Sequence, residues 1–404
     1  MEEKIKILQL APRYVFPPDD GGKIGIANIT KEFAKAGADI TFFTFDGGTI
    51  SLDDKKLIEP YAKLQLYKHF TINTSLRIFF SLFNKDSLYI TKHQSQGVIN
   101  ELDKLVEKNK YDVIHADHSA MAPLAIHLKN KFNIPVGLRL HNIEWTIWQR
   151  YADFLPTYSP KRLYIQSQAK KLRRNESEIL RNIDIAFAIT EEDKQKAMEL
   201  FDQLNVIVAS AGVNTDEWKP DENITKNSNE LILATTYRWQ HNVDAIRWFI
   251  ENVLRPLRKK FPSIQLRLLG KDIPADFEKY KEQGAVLTGY VDRVQPYLNK
   301  AAIYVSPLFV GGGIRIKILE AMAMELPVVA SPVAAEGIPA DANDGLFISK
   351  DADAFIDNIS HLLNDENLRS AAGKNARSFV AHNFSWSENV GKMIAEYHKL
   401  KKIY

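Results

Sequence analysis

Between Tyr304 and Ala330 a short apolar run, Ile303 to Val305, leads through three consecutive glycines, Gly311 to Gly313, into a stretch whose apolar residues Ile318, Leu319, Met322 and Ala323 recur at helical spacing. A strand that feeds a helix through glycines belongs to an α/β architecture. The chain starts in the same way: Ile5 to Leu10 reads as a buried strand, a long loop ends in Asp19-Asp20-Gly21-Gly22, and a helix with Ile26, Ile29, Phe33 and Ala34 on one face stops at Gly37 before the strand Ile40 to Phe45.

The glycine run also carries a chemical reading. Without Cβ atoms its backbone can take positive φ, and a ligand can lie directly on its N–H groups. The following helix points its unpaired N–H groups and the positive end of its dipole at the same spot, an arrangement suited to phosphate. Arg315 and Lys317 add two positive charges, and Glu320, read as lying off the apolar face, can accept hydrogen bonds from sugar hydroxyls. A ligand with an anionic diphosphate at one end and neutral hydroxyls at the other fits this layout, as a nucleotide sugar does. A plain loop followed by a solvated first turn would give the same glycines and charges.

The order of residues is more specific than the glycines alone. Gly-Gly-Gly-Ile-Arg-Ile-Lys-Ile-Leu-Glu-Ala-Met-Ala, followed by Leu-Pro-Val-Val-Ala-Ser-Pro and Ala-Glu-Gly-Ile, resembles the donor-site signature of retaining glycosyltransferases of family 4. The resemblance implies a GT-B fold: two Rossmann-like, doubly wound α/β domains facing a cleft, with a C-terminal helix crossing back to the first. It divides the chain into an acceptor-binding domain, 1–215, a nucleotide-sugar-binding domain, 216–384, and the returning helix, 385–404. Many members carry two glutamates around the donor loop. Here Glu320 is the second and Gly312 occupies the place of the first, which resembles the variant that relies on basic residues.

Composition sets the outer limits. At 404 residues the chain suits two domains of about 200 residues each. Its 45% apolar and 25% charged residues are ordinary for a soluble protein, and no window approaches a membrane span or a hydrophobic signal core, so a cytoplasmic location is expected, with the inner membrane face as an option. Absence of cysteine excludes disulfides and thiolate metal sites. A net charge of +3 gives no argument for nucleic acid.

Along the chain, polar clusters follow apolar strands. Asp117-His118-Ser119 ends the strand Tyr111 to Ala116, and His141-Asn142-Ile143-Glu144-Trp145 ends Val136 to Leu140; ligands of open parallel sheets bind beyond such carboxyl ends. By resemblance, His118 lies beside the donor sugar, with Asp117 the rival for that catalytic place, and Gly22 approaches the donor. Gly21, His141, Asn142 and Glu144 are the acceptor-side candidates. In the second half, Asn242 reads as the N-cap of a helix carrying Ile246, Phe249, Ile250 and Val253. By resemblance again, Thr236 and His241 stand near the positions where relatives place phosphate-binding cations, and the backbone at Tyr290-Val291 meets the base. The donor set is completed by Gly270, at another strand end, and by Gly311, Gly312, Gly313, Ile314, Arg315, Lys317 and Glu320.

Two stretches of the first half bear on partners. A helix with Leu76, Phe79, Phe80 and Phe83 inward reads as core, with an amphipathic surface for a lipid-linked acceptor or the bilayer interface as the alternative. From Pro160 to Asn182 runs a polar helix with Lys170, Lys171, Arg173 and Arg174, read either as a solvated face or as a surface attracted to anionic lipid. The stretch from Lys219 to Glu230 reads as a linker, and Asp351-Ala-Asp353 as a helix start rather than a metal site.

The expected function is transfer of a sugar, with retention at the anomeric carbon, from a UDP- or GDP-linked donor to a hydroxyl of a glycan or lipid-linked acceptor in polysaccharide or glycoconjugate synthesis, without cofactor or essential metal. A GT-B epimerase and a non-catalytic sugar-nucleotide-binding module are the alternatives.

Overall fold

The computed structural model describes residues 4–18, 21–48, 50–221, 223–310 and 313–404. The chain divides into two compact units, Met1–Ser210 with Trp386–Tyr404, and Ala211–Ser385. The final helix, Trp386–Lys401, thus belongs to the first unit. Among the described residues no helix is long and apolar enough to cross a membrane.

The first unit is built on seven strands: β1 (Lys6–Leu10), β2 (Asp39–Asp46), β3 (Lys63–Lys68), β4 (Val113–Asp117), β5 (Val136–Leu140), β6 (Ile185–Ala188) and β7 (Val206–Val208). They pair in parallel in the order β3-β2-β1-β4-β5-β6-β7. β4, β5 and β6 are buried at every position, as expected of strands covered by helices on both faces. The chain reverses its winding between β1 and β4, and this switch point is where such sheets bind ligands.

The second unit repeats the plan with β8 (Glu230–Ala234), β9 (Gln265–Leu269), β10 (Ala285–Gly289), β11 (Ile303–Ser306), β12 (Val328–Ala330) and β13 (Leu346–Ile348), ordered β10-β9-β8-β11-β12-β13. Its switch point falls between β8 and β11. The loop Thr235 to Trp239 leaves one, and the glycine loop leaves the other.

Three expectations need correction. Helix Ser75–Ser81 is not core: Leu76 is 70% exposed and Phe83 76%, with Phe79 and Phe80 also more than half exposed. Its apolar residues fail to reach the sheet because the helix packs end-on, through Ser81 and Leu82, against the long helix Pro160–Asn182. The Lys219–Glu230 stretch is tied down rather than free. The Asp221 N–H donates to Asn299, the Asn227 N–H to the Lys300 carbonyl, and Lys226 Nζ to the Glu325 carbonyl. Lastly, Asn242 is not an N-cap. The helix Gln240–Phe249 begins after Trp239, and the Asn242 amide turns back to Thr235 Oγ1 and the Thr236 carbonyl.

Candidate functional site

In the second unit, the helix Ile316–Ala323 starts directly after Arg315. Gly311 and Gly312 lie outside the described residues. Gly313 has φ +73°, a left-handed conformation that glycine takes without penalty. Ile318, Leu319, Met322 and Ala323 are fully buried, which fixes the helix against its sheet and aims its N-terminus at the end of β11.

Arg315 is not simply a solvated first-turn residue, the alternative that the sequence allows. Its Nε and Nη2 are buried and have no hydrogen-bond partner among the described residues. Burial lowers its pKa, while Glu336 pulls the other way. A guanidinium has five donors and no acceptor, and leaving buried donors unmet costs about 1 to 3 kcal/mol. Donors of this kind at a helix N-terminus are chemically suited to an anion. His241 lies in the same field: burial first, then the Arg315 charge, lowers its pKa, so it is neutral at pH 7.

Glu320 and Lys317 differ from expectation too. The Glu320 carboxylate is buried and receives the Lys317 ammonium at 2.8 Å, and the same ammonium lies 5.7 Å from the centre of the Trp218 ring. Burial raises the Glu320 pKa and Lys317 opposes this. Lys317 therefore brings less free charge to the loop than Arg315 does. The carboxylate falls inside because residue 320 sits on the same buried turn as Leu319 and Ala321.

The rest of this half-site is scaffolding and rim. Gly270, with φ +140°, is required by packing: a Cβ there would lie 1.7 Å from the Thr235 carbonyl oxygen, so the loops after β8 and β9 touch backbone to backbone. Tyr290 is 59% exposed with Lys271 over its ring, while Val291 packs against the core. Arg238 donates to Asp272. Asp351 caps its helix by accepting from the Ala354 N–H, in agreement with the reading as a helix start.

In the first unit, Asp117 and His118 separate cleanly. Asp117 is the last residue of β4 and wholly buried; it accepts from Gln9 at 2.5 Å and lies 3.3 Å from His115 and 3.5 Å from His141. Burial alone would raise its pKa, but His115, His141 and Arg139 hold it well below the usual carboxylate range. Its lone pairs are spent on the core, which removes it as a catalytic candidate. His118, one residue on, turns outward with φ 133°, a conformation rare outside glycine and typical of functional sites when held in place. Its ring bonds to the Tyr89 hydroxyl, stacks 5.0 Å from His141 and approaches Glu144 Oε1 at 3.7 Å. Burial first, then the neighbouring His141, Arg13 and Arg139, lowers the His118 pKa well below its ordinary value.

Glu144 opens the helix Glu144–Phe154. The first N–H groups of that helix, from Glu144 and Trp145, are both accepted at 3.0 Å by Glu176 of the long helix, whose carboxylate also takes the Ser119 hydroxyl at 3.4 Å. Burial raises Glu144 to about 7 and Glu176 to about 8. His141 is nearly buried between Arg139 and Asp117, so little of it is open to a ligand. Gly21 and Gly22 fall in the first turn of the helix Gly21–Lys35 rather than in the loop before it, and a Cβ at Gly21 would meet nothing within 4 Å. Among the described residues no contact therefore demands glycine at 21.

Sequence reasoning missed Tyr89, Arg139 and Glu176. Glu176 did leave a signal. It falls in register with Ile165, Ala169, Leu172 and Ile179, so the buried stripe of an otherwise polar helix predicts it to be inside.

Two doubly wound parallel units, each with polar or charged side chains beyond its strand ends, give the fold of a GT-B glycosyltransferase. The chain belongs to glycosyltransferase family 4: that family's profile matches residues 20–217, and the profile described as glycosyl transferases group 1 matches residues 230–365. An uncharacterized 44.6 kDa protein in the cps region of Klebsiella pneumoniae is 20% identical over 392 residues, covering 94% of this chain and 96% of the relative. Among solved structures, sucrose-phosphate synthase of Thermosynechococcus elongatus is similar with a TM-score of 0.72 at 17% identity, over 99% of this chain and 100% of that one. HepE of Anabaena, solved with UDP and glucose, has a TM-score of 0.67 at 14% identity, over 98% and 99%.

Proposed function

We propose that this glycosyltransferase moves a sugar from a nucleoside-diphosphate donor to a hydroxyl acceptor with retention of anomeric configuration, in the synthesis of a cell-surface polysaccharide or glycoconjugate. The observation that carries the reading is Arg315, a half-buried residue at a helix N-terminus whose Nε and Nη2 are buried with no hydrogen-bond partner among the described residues. A diphosphate supplies the acceptors it lacks, and the negative charge that develops as the sugar–phosphate bond breaks strengthens the same contacts. Stabilising the departing diphosphate is the main catalytic contribution, and no essential metal is invoked. The leaving phosphate oxygen takes the acceptor proton, so no protein carboxylate need act as nucleophile.

The second unit binds the nucleotide, with Tyr290 and Val291 at the base and Glu320 toward the ribose. The first unit contributes His118 toward the sugar and Glu144 and Asn142 toward acceptor hydroxyls. A UDP-linked donor is supported by the HepE complex, with a GDP-linked donor as the other option, and a polysaccharide role by the cps-region relative. The acceptor is a glycan or a lipid-linked glycan, and the first unit makes peripheral contact with anionic membrane.

A thermal-shift panel of UDP- and GDP-sugars is the first test, because a ligand that binds only the native state raises the melting temperature. Release of nucleoside diphosphate without acceptor then separates a transferase from a binding module, and the proton coupling constant of the product's anomeric centre tests retention.

A further inference from the structure

The exposed residues of the helix Ser75–Ser81 form one surface: Phe79 packs edge-on against both Phe80 and Phe83, with Leu76 beside them. It is held firmly. Lys171 Nζ donates to the carbonyls of Ser81 at 2.7 Å and Leu82 at 3.0 Å, Arg174 donates to the Lys85 carbonyl, and Asn175 donates to Asp86. All three donors lie on the long helix Pro160–Asn182.

The exposed face of that long helix lines a cavity of about 550 Å³ with Lys170, Arg173, Arg174 and Arg181, against Glu178 and Glu199. Four cations face two carboxylates, and the pairing is incomplete. Among the described residues Lys170 has no hydrogen bond or ion pair, and the guanidinium groups of Arg173 and Arg181 rest only on the rings of Trp145 and Phe201. A concave site with unspent guanidinium donors suits a phosphate group, and Arg174, which lines it, also donates to the Lys85 carbonyl two residues beyond the exposed Phe83.

We propose that the cavity binds the phosphate of an anionic membrane lipid and that Phe79, Phe80 and Phe83 enter the interfacial layer of the same leaflet. Basic attraction and shallow aromatic contact are each too weak for stable anchoring, and here one helix carries the first and fixes the position of the second. That helix also holds the acceptor side of the site. Arg173 stacks 5.0 Å from the centre of the Trp145 ring, and Glu176, three residues on, accepts the N–H groups of Glu144 and Trp145. A bilayer bound here therefore meets the protein at the loop assigned to the acceptor. This consequence rests on the acceptor reading above, whereas the lipid site does not.

The test is sedimentation of the full chain with vesicles of phosphatidylcholine alone and of phosphatidylcholine with phosphatidylglycerol, at low and high salt. Binding is expected only to the anionic vesicles and is lost at high salt. The pair Lys170→Gln with Arg181→Gln weakens it about thirtyfold, and the pair Phe79→Ser with Phe83→Ser abolishes it. Inorganic phosphate at matched ionic strength leaves most of the binding in place, because it offers nothing to the aromatics. Four results overturn the proposal: no association with anionic vesicles at low salt; unchanged binding in the charge pair; full displacement by inorganic phosphate, which makes a free phosphate the ligand; or a self-association relieved by the phenylalanine pair, which assigns the apolar face to a second copy. Thermal shifts with UDP- and GDP-sugars on the same variants keep the two readings apart. Should no donor shift even the wild-type chain while vesicle binding follows the pattern above, the donor reading fails and the lipid site stands.

Discussion

The ammonium of Lys317 lies 2.8 Å from the buried carboxylate of Glu320, one helical turn away, and is already engaged, while Nε and Nη2 of Arg315 have no hydrogen-bond partner among the described residues. On the proposed function, the phosphate-binding load falls unequally on the two residues. Arg315→Ala is expected to cost more donor affinity than Lys317→Ala, which titration calorimetry with a nucleoside diphosphate measures directly.

Glu320→Gln should act in two ways. It frees the Lys317 ammonium toward the loop and removes the acceptor assigned to ribose hydroxyls. Affinity for inorganic diphosphate is then maintained or raised, while affinity for the whole nucleotide sugar falls by about tenfold, as for one hydrogen bond to a charged group. Parallel losses for both ligands would mean that Glu320 only organises the loop.

Arg315→Met separates stability from function. Nε and Nη2 of the native guanidinium are buried with no hydrogen-bond partner among the described residues, so a side chain of similar length without polar atoms should raise the melting temperature of the ligand-free protein, by about 1 to 3 kcal/mol of stability. The donor-dependent thermal shift should vanish in the same variant. A fall in ligand-free stability would show that the guanidinium is satisfied in solution.

His118→Gly makes a comparable trade in the first unit. Glycine adopts φ 133° without the strain a side chain incurs, worth about 1 to 3 kcal/mol, yet it lacks the imidazole that meets Tyr89, His141 and Glu144. Chemical denaturation should show equal or greater stability, and turnover should drop by at least tenfold. Because the native ring is held neutral, wild-type activity should show no step from His118 near its ordinary pKa.

Much of the fold was legible before any coordinates, and the reasons for the exceptions are physical. Strands such as Ile5 to Leu10 and Val136 to Leu140 announce themselves because both faces are covered, so they read as unbroken apolar runs. β3 is at the sheet edge and half-exposed, and its sequence, Lys-Leu-Gln-Leu-Tyr-Lys, has no unbroken apolar run to mark it as a strand. Helical spacing of Leu76, Phe79, Phe80 and Phe83 gives a period but not a side. That depends on Lys171 and Gln168, nearly a hundred residues away, which hold the helix by its end. Asp117 and His118 could not be told apart for the same kind of reason: adjacent residues at a strand end point opposite ways, and only the backbone turn at His118 decides which is outside.

The carboxyl pair Glu144 and Glu176 gives a pH prediction whose sign can be worked out. Both folded-state pKa values are raised, to about 7 and about 8, so between pH 4.5 and 8 the folded chain holds more protons than the unfolded one. Stability from these groups is fully present at the acid end and is lost as pH rises through that window, the two titrating as a coupled pair. Melting temperatures across the range should fall with pH more steeply for the wild-type chain than for Glu176→Gln. An identical slope in the variant would place the linkage elsewhere.

The most direct measurement of the central claim is release of nucleoside diphosphate from a panel of UDP- and GDP-sugars by the wild-type chain and by Arg315→Ala. One donor should be turned over by the wild type, and the variant, still folded by circular dichroism, should be slower by about 10- to 150-fold, as expected for losing one charge-assisted contact of about 1.5 to 3 kcal/mol. Turnover of that donor by Arg315→Ala at the wild-type rate would contradict the assignment of Arg315 to the leaving diphosphate.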